Sequence, residues 1–436
     1  MNVPVVQSVT RNDHPLRQWA VDEMNLRRFA PVSNDCQIYQ YVLLIDQEQR
    51  HAEDQHLITD RPDFADWHLS ARSAAAKNDN GLYFLWERHT EASTITLILP
   101  ANMPSKLSDP YLHWLEKWPG AILRATRVRV VPGEKEVATN LEAMGMVDSD
   151  MVCCDVNGAL RIWSDFGIHK DGFGRLLVLA GDVSDVERGR IVQRVQELGN
   201  YRNMALMGFP MVQKYGPDVD ELEQQLSHHA EQVAQAADED NDDALLQQLA
   251  DISSRLELIR SATGFRLSAT TAYAEVASDR LQALEITPVE GYQTLTEFTE
   301  RRLVPATRTC ATFQARLTRI AERVSRVMHT LDVRIDTRIK AQNLSLTQSM
   351  ERSTLLQLRL QTLVEGLSVI AAAYYLVGLI GYMVKGVSAL QKGYWPEIIM
   401  GAITIPVIVI IWLFVHHLRG KVLKESALDD DSSTKD

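Results

Sequence analysis

The sequence predicts an α+β protein: an N-terminal cytoplasmic α/β domain with a mixed or largely antiparallel sheet, a long helical stalk, and a C-terminal two-helix transmembrane hairpin. Three observations predict it. Residues 1 to about 215 alternate short runs rich in Val, Ile, Leu and aromatics with amphipathic runs. From about Asp218 the pattern is helical almost without interruption. Near the C-terminus two uncharged runs, Leu367–Val384 and Ile398–Val415, are each about eighteen residues long, near the minimum that spans hydrocarbon. The divisions follow as 1–215, 216–364, 365–416 and a polar cytoplasmic tail over 417–436.

In the first division strands are expected over Gln37–Asp46, Leu82–Glu91, Thr94–Leu99, Leu123–Val131, Met151–Asp155, Leu160–Asp165 and Arg175–Ala180. Turn residues bound them, among them Pro132-Gly133, Asn157-Gly158 and Asp171-Gly172. Several strands are joined by short turns, which favours antiparallel pairing over a doubly wound parallel sheet. Helices fit His14–Arg28, Glu48–Thr59, Asp109–Lys117 and Ser184–Met207, the last opened by a capping box of Ser184 and Glu187.

The stalk begins with helices over Val219–Ala237 and Asp242–Leu284, separated by the acidic run Asp238 to Asp243. That run reads as a solvated loop; it lacks the turn glycine and distal glutamate of a calcium loop. A further helix is expected to stop at Arg302, with Pro305 in the first turn of a much longer one. Leu317, Ile320, Val324, Val327, Leu331 and Ile335 recur three and four apart, giving one apolar stripe suited to earlier helices or a second copy.

Around the spans, Arg352, Arg359, Arg419, Lys421 and Lys424 outnumber Lys385 and Lys392 of the connecting loop. This bias puts both termini in the cytoplasm of a multi-pass inner-membrane protein. Ser368, Ala372, Gly378 and Gly381 are the small residues expected to pack the spans and support a homo-oligomer.

A formal net charge of −12 argues against nucleic acid as a partner, since a binder needs a basic face for phosphates. The expected partners are instead the lipid bilayer and further copies of the chain. Cys36, Cys153, Cys154 and Cys310 have no CxxC spacing and fit reduced thiols better than a disulfide framework. The opening residues lack the basic and apolar regions of a secretory signal.

Chemistry concentrates in FLWERHTEASTITLILP, residues 84–100. On a strand, Glu87, His89 and Glu91 alternate onto one face, and two carboxylates flanking an imidazole could hold a divalent metal or move a proton. One strand cannot close such a site, and no HxH or HExxH motif nominates further ligands. A strand running from core to rim explains the same residues without chemistry. Asp165-Phe166-Gly167 has no accompanying kinase motifs. Gly172-Phe173-Gly174 precedes a strand and so forms no dinucleotide fingerprint. No catalytic signature is found, and no cofactor is predicted beyond that candidate metal.

The stretches WERHTE (86–91), SDFGIHKDGFGRLLVL (164–179), GRIVQRVQELGNYRNMALMGFP (189–210), LTEFTERRLVPATRTC (295–310) and VEGLSVIAAAYYLVGLIGYMVKG (364–386) resemble a bacterial family of uncharacterised membrane-anchored proteins. The resemblance implies two C-terminal membrane helices and a membrane location, and it implies no reaction. The chain departs from the family at Met24 to Phe29, where a His-Ala-Arg-Pro motif is usual. A looser similarity of layout is to CorA-type cation channels, whose Gly-Met-Asn signature is replaced here by Gly381-Tyr382-Met383. The layout thus favours a membrane-anchored sensor or scaffold, with a CorA-like channel and a metal-dependent enzyme as alternatives.

Overall fold

In the computed structural model, residues 29–146, 151–235, 242–386 and 401–414 are described, with isolated positions at 14, 16, 17, 20, 21, 398, 416 and 417. The chain divides into two compact units, 1–329 and 330–436.

The first unit holds, in order, β1 (Cys36–Leu44), α1 (Gln49–Thr59), β2 (Asp66–Leu69), β3 (Ser73–Lys77), β4 (Tyr83–Arg88), β5 (Ala92–Pro100), α2 (Ser105–Glu116) and β6 (Ala121–Val131). Then follow α3 (Lys135–Ala143), β7 (Val152–Val156), β8 (Leu160–Ser164), β9 (Gly174–Leu179), α4 (Asp185–Leu206), α5 (Phe209–Gln235), α6 (Asp242–Gln282) and β10 (Thr287–Pro288). The strands form one sheet in the order β10-β7-β8-β9-β6-β1-β5-β4-β3-β2. Every ladder in it is antiparallel except β6 with β9. The mixed, largely antiparallel sheet is as the short turns predict.

Both faces are covered. Period-two alternation sends Ile38, Val128, Val130, Ile162, Leu176 and Val178 to one face, where Ile191, Val192, Val195 and Leu198 of α4 cover them. The same core takes in Ala277 of α6 and Leu295, Phe298 and Leu303 beyond β10. The opposite face carries Tyr41, Leu43, Phe84, Trp86, Ile95 and Leu97 against Leu57 of α1 and Trp114 and Leu115 of α2. Ser184 caps α4 as expected, its hydroxyl accepting from the Glu187 amide at 3.2 Å.

Four local expectations are corrected. β2 and β3 were not anticipated, because DWHL and SAAAK are short and lack the β-branched residues that signal a strand; β3 is held by pairing with β4. α3, anticipated only as turn sequence after Gly133, has no fully buried residue to reveal it. α5 starts at Phe209 instead of Val219, because Pro210 is tolerated in a first turn. Finally, α7 (Leu295–Gly386) is one helix where a break between Arg302 and Pro305 was expected. The carbonyl that Pro305 leaves without a donor is that of Arg301, an exposed residue. The start of α7 is fixed by a capping box: Thr294 Oγ1 accepts from the Glu297 amide at 3.1 Å, and Glu297 Oε2 accepts from the Thr294 amide at 2.9 Å.

The two-helix hairpin is corrected as well. Among the described residues one helix, α7, is long and apolar enough to cross a membrane, with a window of mean hydropathy 1.9 that is 6% buried. The second run is described as the apolar helix α8 (Gly401–Phe414). Within the second unit α8 lies beside α7 across a cavity of about 280 Å³ lined by Val369, Ala373, Val377, Thr404 and Ile408. Of the small residues expected to pack the spans, Ser368 and Ala372 are exposed within this single chain and Gly381 is buried. A side chain added at Gly378 would meet open space. The loop residue Lys392, the tail residues Arg419, Lys421 and Lys424, residues Asp238 to Asn241 and most of His14–Arg28 lie outside the described residues.

Candidate functional site

The chemically dense stretch of β4 disperses instead of converging. The strand ends at Arg88, so Glu91 sits in the β4–β5 turn and leaves the face it was expected to share. Alternation sends Trp86 and Arg88 to the aromatic face, where the fully buried Glu53 of α1 receives them. Its carboxylate accepts from Trp86 Nε1 at 2.9 Å, Trp118 Nε1 at 3.3 Å, Arg88 Nη2 at 3.0 Å and Arg50 Nη1 at 3.3 Å. Glu91 instead holds Arg266 of α6 in a two-pronged pair, 2.9 Å to Nη1 and 2.6 Å to Nη2. It also bonds Tyr273, whose hydroxyl is pushed up first by burial and then by that carboxylate.

Glu87 and His89 do not lie at a rim. They line a cavity of about 60 Å³ between the sheet and α4, with Gln40, Thr96, Gln196 and Asn200. His89 Nε2 lies 3.1 Å from Thr94 Oγ1. The space admits a few waters and is far below the usual volume of a ligand site. Among the described residues no group of three His, Cys, Asp or Glu is placed to hold a metal ion. The structure thus keeps Glu87 and His89 together and takes Glu91 away from them.

A second cavity under α4 is much larger, about 470 Å³, within the usual range for small-molecule sites. The sheet supplies Thr126, Ile162, Ser164 and Leu176, and α4 supplies Val195, Leu198, Gly199, Arg202 and Asn203. Leu295 of α7 closes one side. Parity on β6 places Arg124 on this face with Thr126 and Val128, while Arg127 and Arg129 turn to the other and bond Gln37 and Asp35. Arg175 also borders the cavity, but its strand position alternates with Leu176, and its guanidinium is held by Asp171 at 2.6 Å.

Among the described residues Arg124 donates only to neutral acceptors: Asn200 Oδ1 at 2.7 Å, Gln196 Oε1 at 2.7 Å and Gln40 Oε1 at 3.2 Å. Its slot exists because residue 199 is glycine. A Cβ there would lie 2.7 Å from Nη2 and 2.8 Å from Cζ of the guanidinium. Arg202 sits with its guanidinium carbon 4.5 Å from the centre of the Phe166 ring, and its buried Nη1 has no hydrogen-bond partner. Burial pushes Arg124 down to about 9 and Arg202 to about 10, with Arg202 adding to the first shift and Arg302 to the second. Both stay protonated at neutral pH. Two cations therefore face one cavity, and among the described residues neither is paired with a carboxylate.

The lip of this cavity is the Asp165-Phe166-Gly167 turn. Phe166 has a left-handed backbone, φ 52°, a strained conformation for a bulky residue. Ser164 Oγ accepts from the Phe166 amide at 3.3 Å and donates to the Arg175 carbonyl at 2.8 Å. Asp165 accepts from the Gly167 amide at 3.1 Å and pairs with His169 at 2.8 Å. So held, the Phe166 ring stacks on Phe298 of α7, centroids 3.9 Å apart. The pattern that resembled a kinase triplet is thus a loop anchor.

Sequence reasoning missed this cavity. The available signal was parity: in LRATRVRVV, Arg124 falls out of step with Arg127 and Arg129 and in step with the apolar face. Nothing local reveals that Arg202, on a helix some eighty positions later, meets it. In comparison with known proteins, a family model described as a protein of unknown function (DUF3422) matches residues 12–422. No curated protein matches the chain.

Proposed function

The chain belongs to this family of unknown function, and we propose that it is a membrane-anchored cytoplasmic sensor or scaffold acting as a homo-oligomer. One observation carries the reading. The helix that closes the arginine cavity with Leu295 is the same helix that holds the apolar run Leu367–Met383. A domain with an internal cavity is thereby joined covalently to a lipid-compatible segment. The shorter apolar helix α8 faces Val369, Ala373 and Val377 of that segment across a cavity and adds apolar surface beside it. Between the two, Ile339, Leu346, Met350, Leu360 and Leu363 of α7 are all about half exposed or more. Unpartnered apolar side chains in that number favour contact with further copies.

The anchor is tested by sedimentation of the native chain from lysed cells. It should stay in the membrane pellet through alkaline carbonate washing; release into the supernatant refutes the anchor. Cross-linking and light scattering in nonionic detergent test assembly, and a clean monomer refutes the oligomer.

A further inference from the structure

We propose that the 470 Å³ cavity beneath α4 is a binding site for a small organic anion, with a carboxylate or phosphate head held between Arg124 and Arg202 and an apolar body against the sheet. The inference adds a ligand class to the sensor reading and rests on that reading for its meaning as an input.

Four features of the cavity lead there. First, uncompensated charge inside a protein is costly, and buried guanidiniums normally face carboxylates. Arg124 has three carboxamide oxygens and no anion, and Arg202 has an aromatic face and an unbonded Nη1. Each arginine depresses or is depressed by a neighbouring cation, so a shared anion relieves both desolvation and repulsion. Second, Arg124 is prepared in advance. Gln40, Gln196 and Asn200 fix its guanidinium, and Gly199 leaves the slot it fills. Neutral acceptors orient an arginine without spending its charge, which leaves that charge for a ligand.

Third, apart from Thr126, Ser164, Asn203 and the Asp171-held Arg175, the remaining side chains of the wall are mostly apolar, among them Val152, Ile162, Leu176, Val195, Leu198 and Leu295. Such a wall disfavours inorganic phosphate, which needs donors on all sides, and suits a ligand with one charged end. Fourth, the mouth is rimmed by Ile122 and Ile168, which are 61% and 84% exposed. These give an apolar entry path. The strained Phe166 at the lip is where a ligand-dependent movement would be registered, since Phe166 stacks on Phe298 of α7.

The experiment is calorimetric titration of the full chain in nonionic detergent with hexanoate, hexyl phosphate, hexan-1-ol and inorganic phosphate. At least one hexyl anion should bind roughly ten-fold or more tighter than hexan-1-ol and than inorganic phosphate. Whichever head binds tighter identifies carboxylate or phosphate. Arg202→Gln should weaken the anions roughly ten-fold while leaving hexan-1-ol unchanged. Leu198→Trp, which fills the cavity without removing a charge, should abolish binding of both anions. Thermal melts of each variant establish that it is folded. The proposal is overturned if neither anion binds the folded chain, or if hexan-1-ol or inorganic phosphate binds as tightly as the hexyl anions. Undiminished anion binding by folded Arg202→Gln also overturns it. Lost anion binding by a chain that still pellets with membranes refutes the site alone. A chain that binds yet is soluble refutes the anchor alone.

Discussion

Replacing Gly199 by alanine should destabilise the protein, whereas the same replacement at Gly264 should stabilise it. Both glycines are interior to helices, α4 and α6, where alanine is intrinsically better by about 0.8–1 kcal/mol. At Gly264 nothing lies within 4 Å of an added Cβ, so that gain stands and stability should rise by about 1 kcal/mol. At Gly199 the added carbon would meet Nη2, Cζ and Nε of Arg124 at 2.7, 2.8 and 2.9 Å. The tip of an arginine is normally free to move aside. This one is tethered at 2.7 Å to both Asn200 and Gln196, which leave it no slack. Shifting it breaks one or two hydrogen bonds of a charged group, each worth about 1.5–3 kcal/mol. After the helical gain is subtracted, the net loss should be about 1–5 kcal/mol. Urea unfolding of the full chain in nonionic detergent, followed by tryptophan fluorescence, measures both variants. In an Arg124→Leu background, Gly199→Ala should lose its penalty, because the clash and the tether disappear together. A Gly199→Ala protein as stable as Gly264→Ala would refute the pinned guanidinium and, with it, the prepared slot.

Glu53→Ala should cost about 3–5 kcal/mol in the same assay, because it strips two indole N–H groups and the guanidiniums of Arg50 and Arg88 of a fully buried acceptor. Glu53→Gln should lose less, since one acceptor oxygen remains; equal losses would show that charge, not acceptor geometry, dominates there. Burial pushes the Cys36 and Cys153 thiols up to about 12 and Cys154 to about 11. Native chain should then react with iodoacetamide at pH 8 about a thousand-fold more slowly at Cys36 and Cys153, and about a hundred-fold more slowly at Cys154, than denatured chain. Because the folded pKa values are raised, the native rate should climb about ten-fold per pH unit from 8 to 10, where the denatured rate levels off. Matching rates in peptide mass mapping would contradict that burial.

The sheet was legible because its central strands carry the period-two alternation that burial on two faces demands. β1, β5, β6 and β9 lie within two residues of their expected bounds. β2, β3 and β10 were not legible. Their residues are held by neighbouring strands: Ser73 to Lys77 pair with β4, and Thr287 and Pro288 with β7. Pairing of that kind leaves no local pattern. Pro305 misled for a related reason, since a proline breaks a helix only when its missing bond cannot be replaced, and solvent exposure of the turn decides that. The capping box of Thr294 and Glu297 marks the true start of α7 and was readable in advance.

For the site, the limits of the sequence are sharper. Composition and spacing pointed to Glu87, His89 and Glu91, because ionisable residues two apart on a strand share a face only while the strand lasts. The chain leaves extended geometry after Arg88, and three successive ionisable positions acquire three destinations. Arg88 reaches Glu53, His89 reaches Thr94 beside a small cavity, and Glu91 reaches Arg266. Each is satisfied locally or by one distant partner, which is what a polar strand needs and what a catalytic cluster lacks. Arg124 and Arg202 have the opposite signature. Apart from the parity of Arg124 on β6, nothing near either in sequence marks it, yet among the described residues folding leaves both charges without a carboxylate. A functional site of this kind is defined by a deficit. A deficit emerges only when every partner from β1, β6 and α4 is in place, so no reading of one segment could have found it.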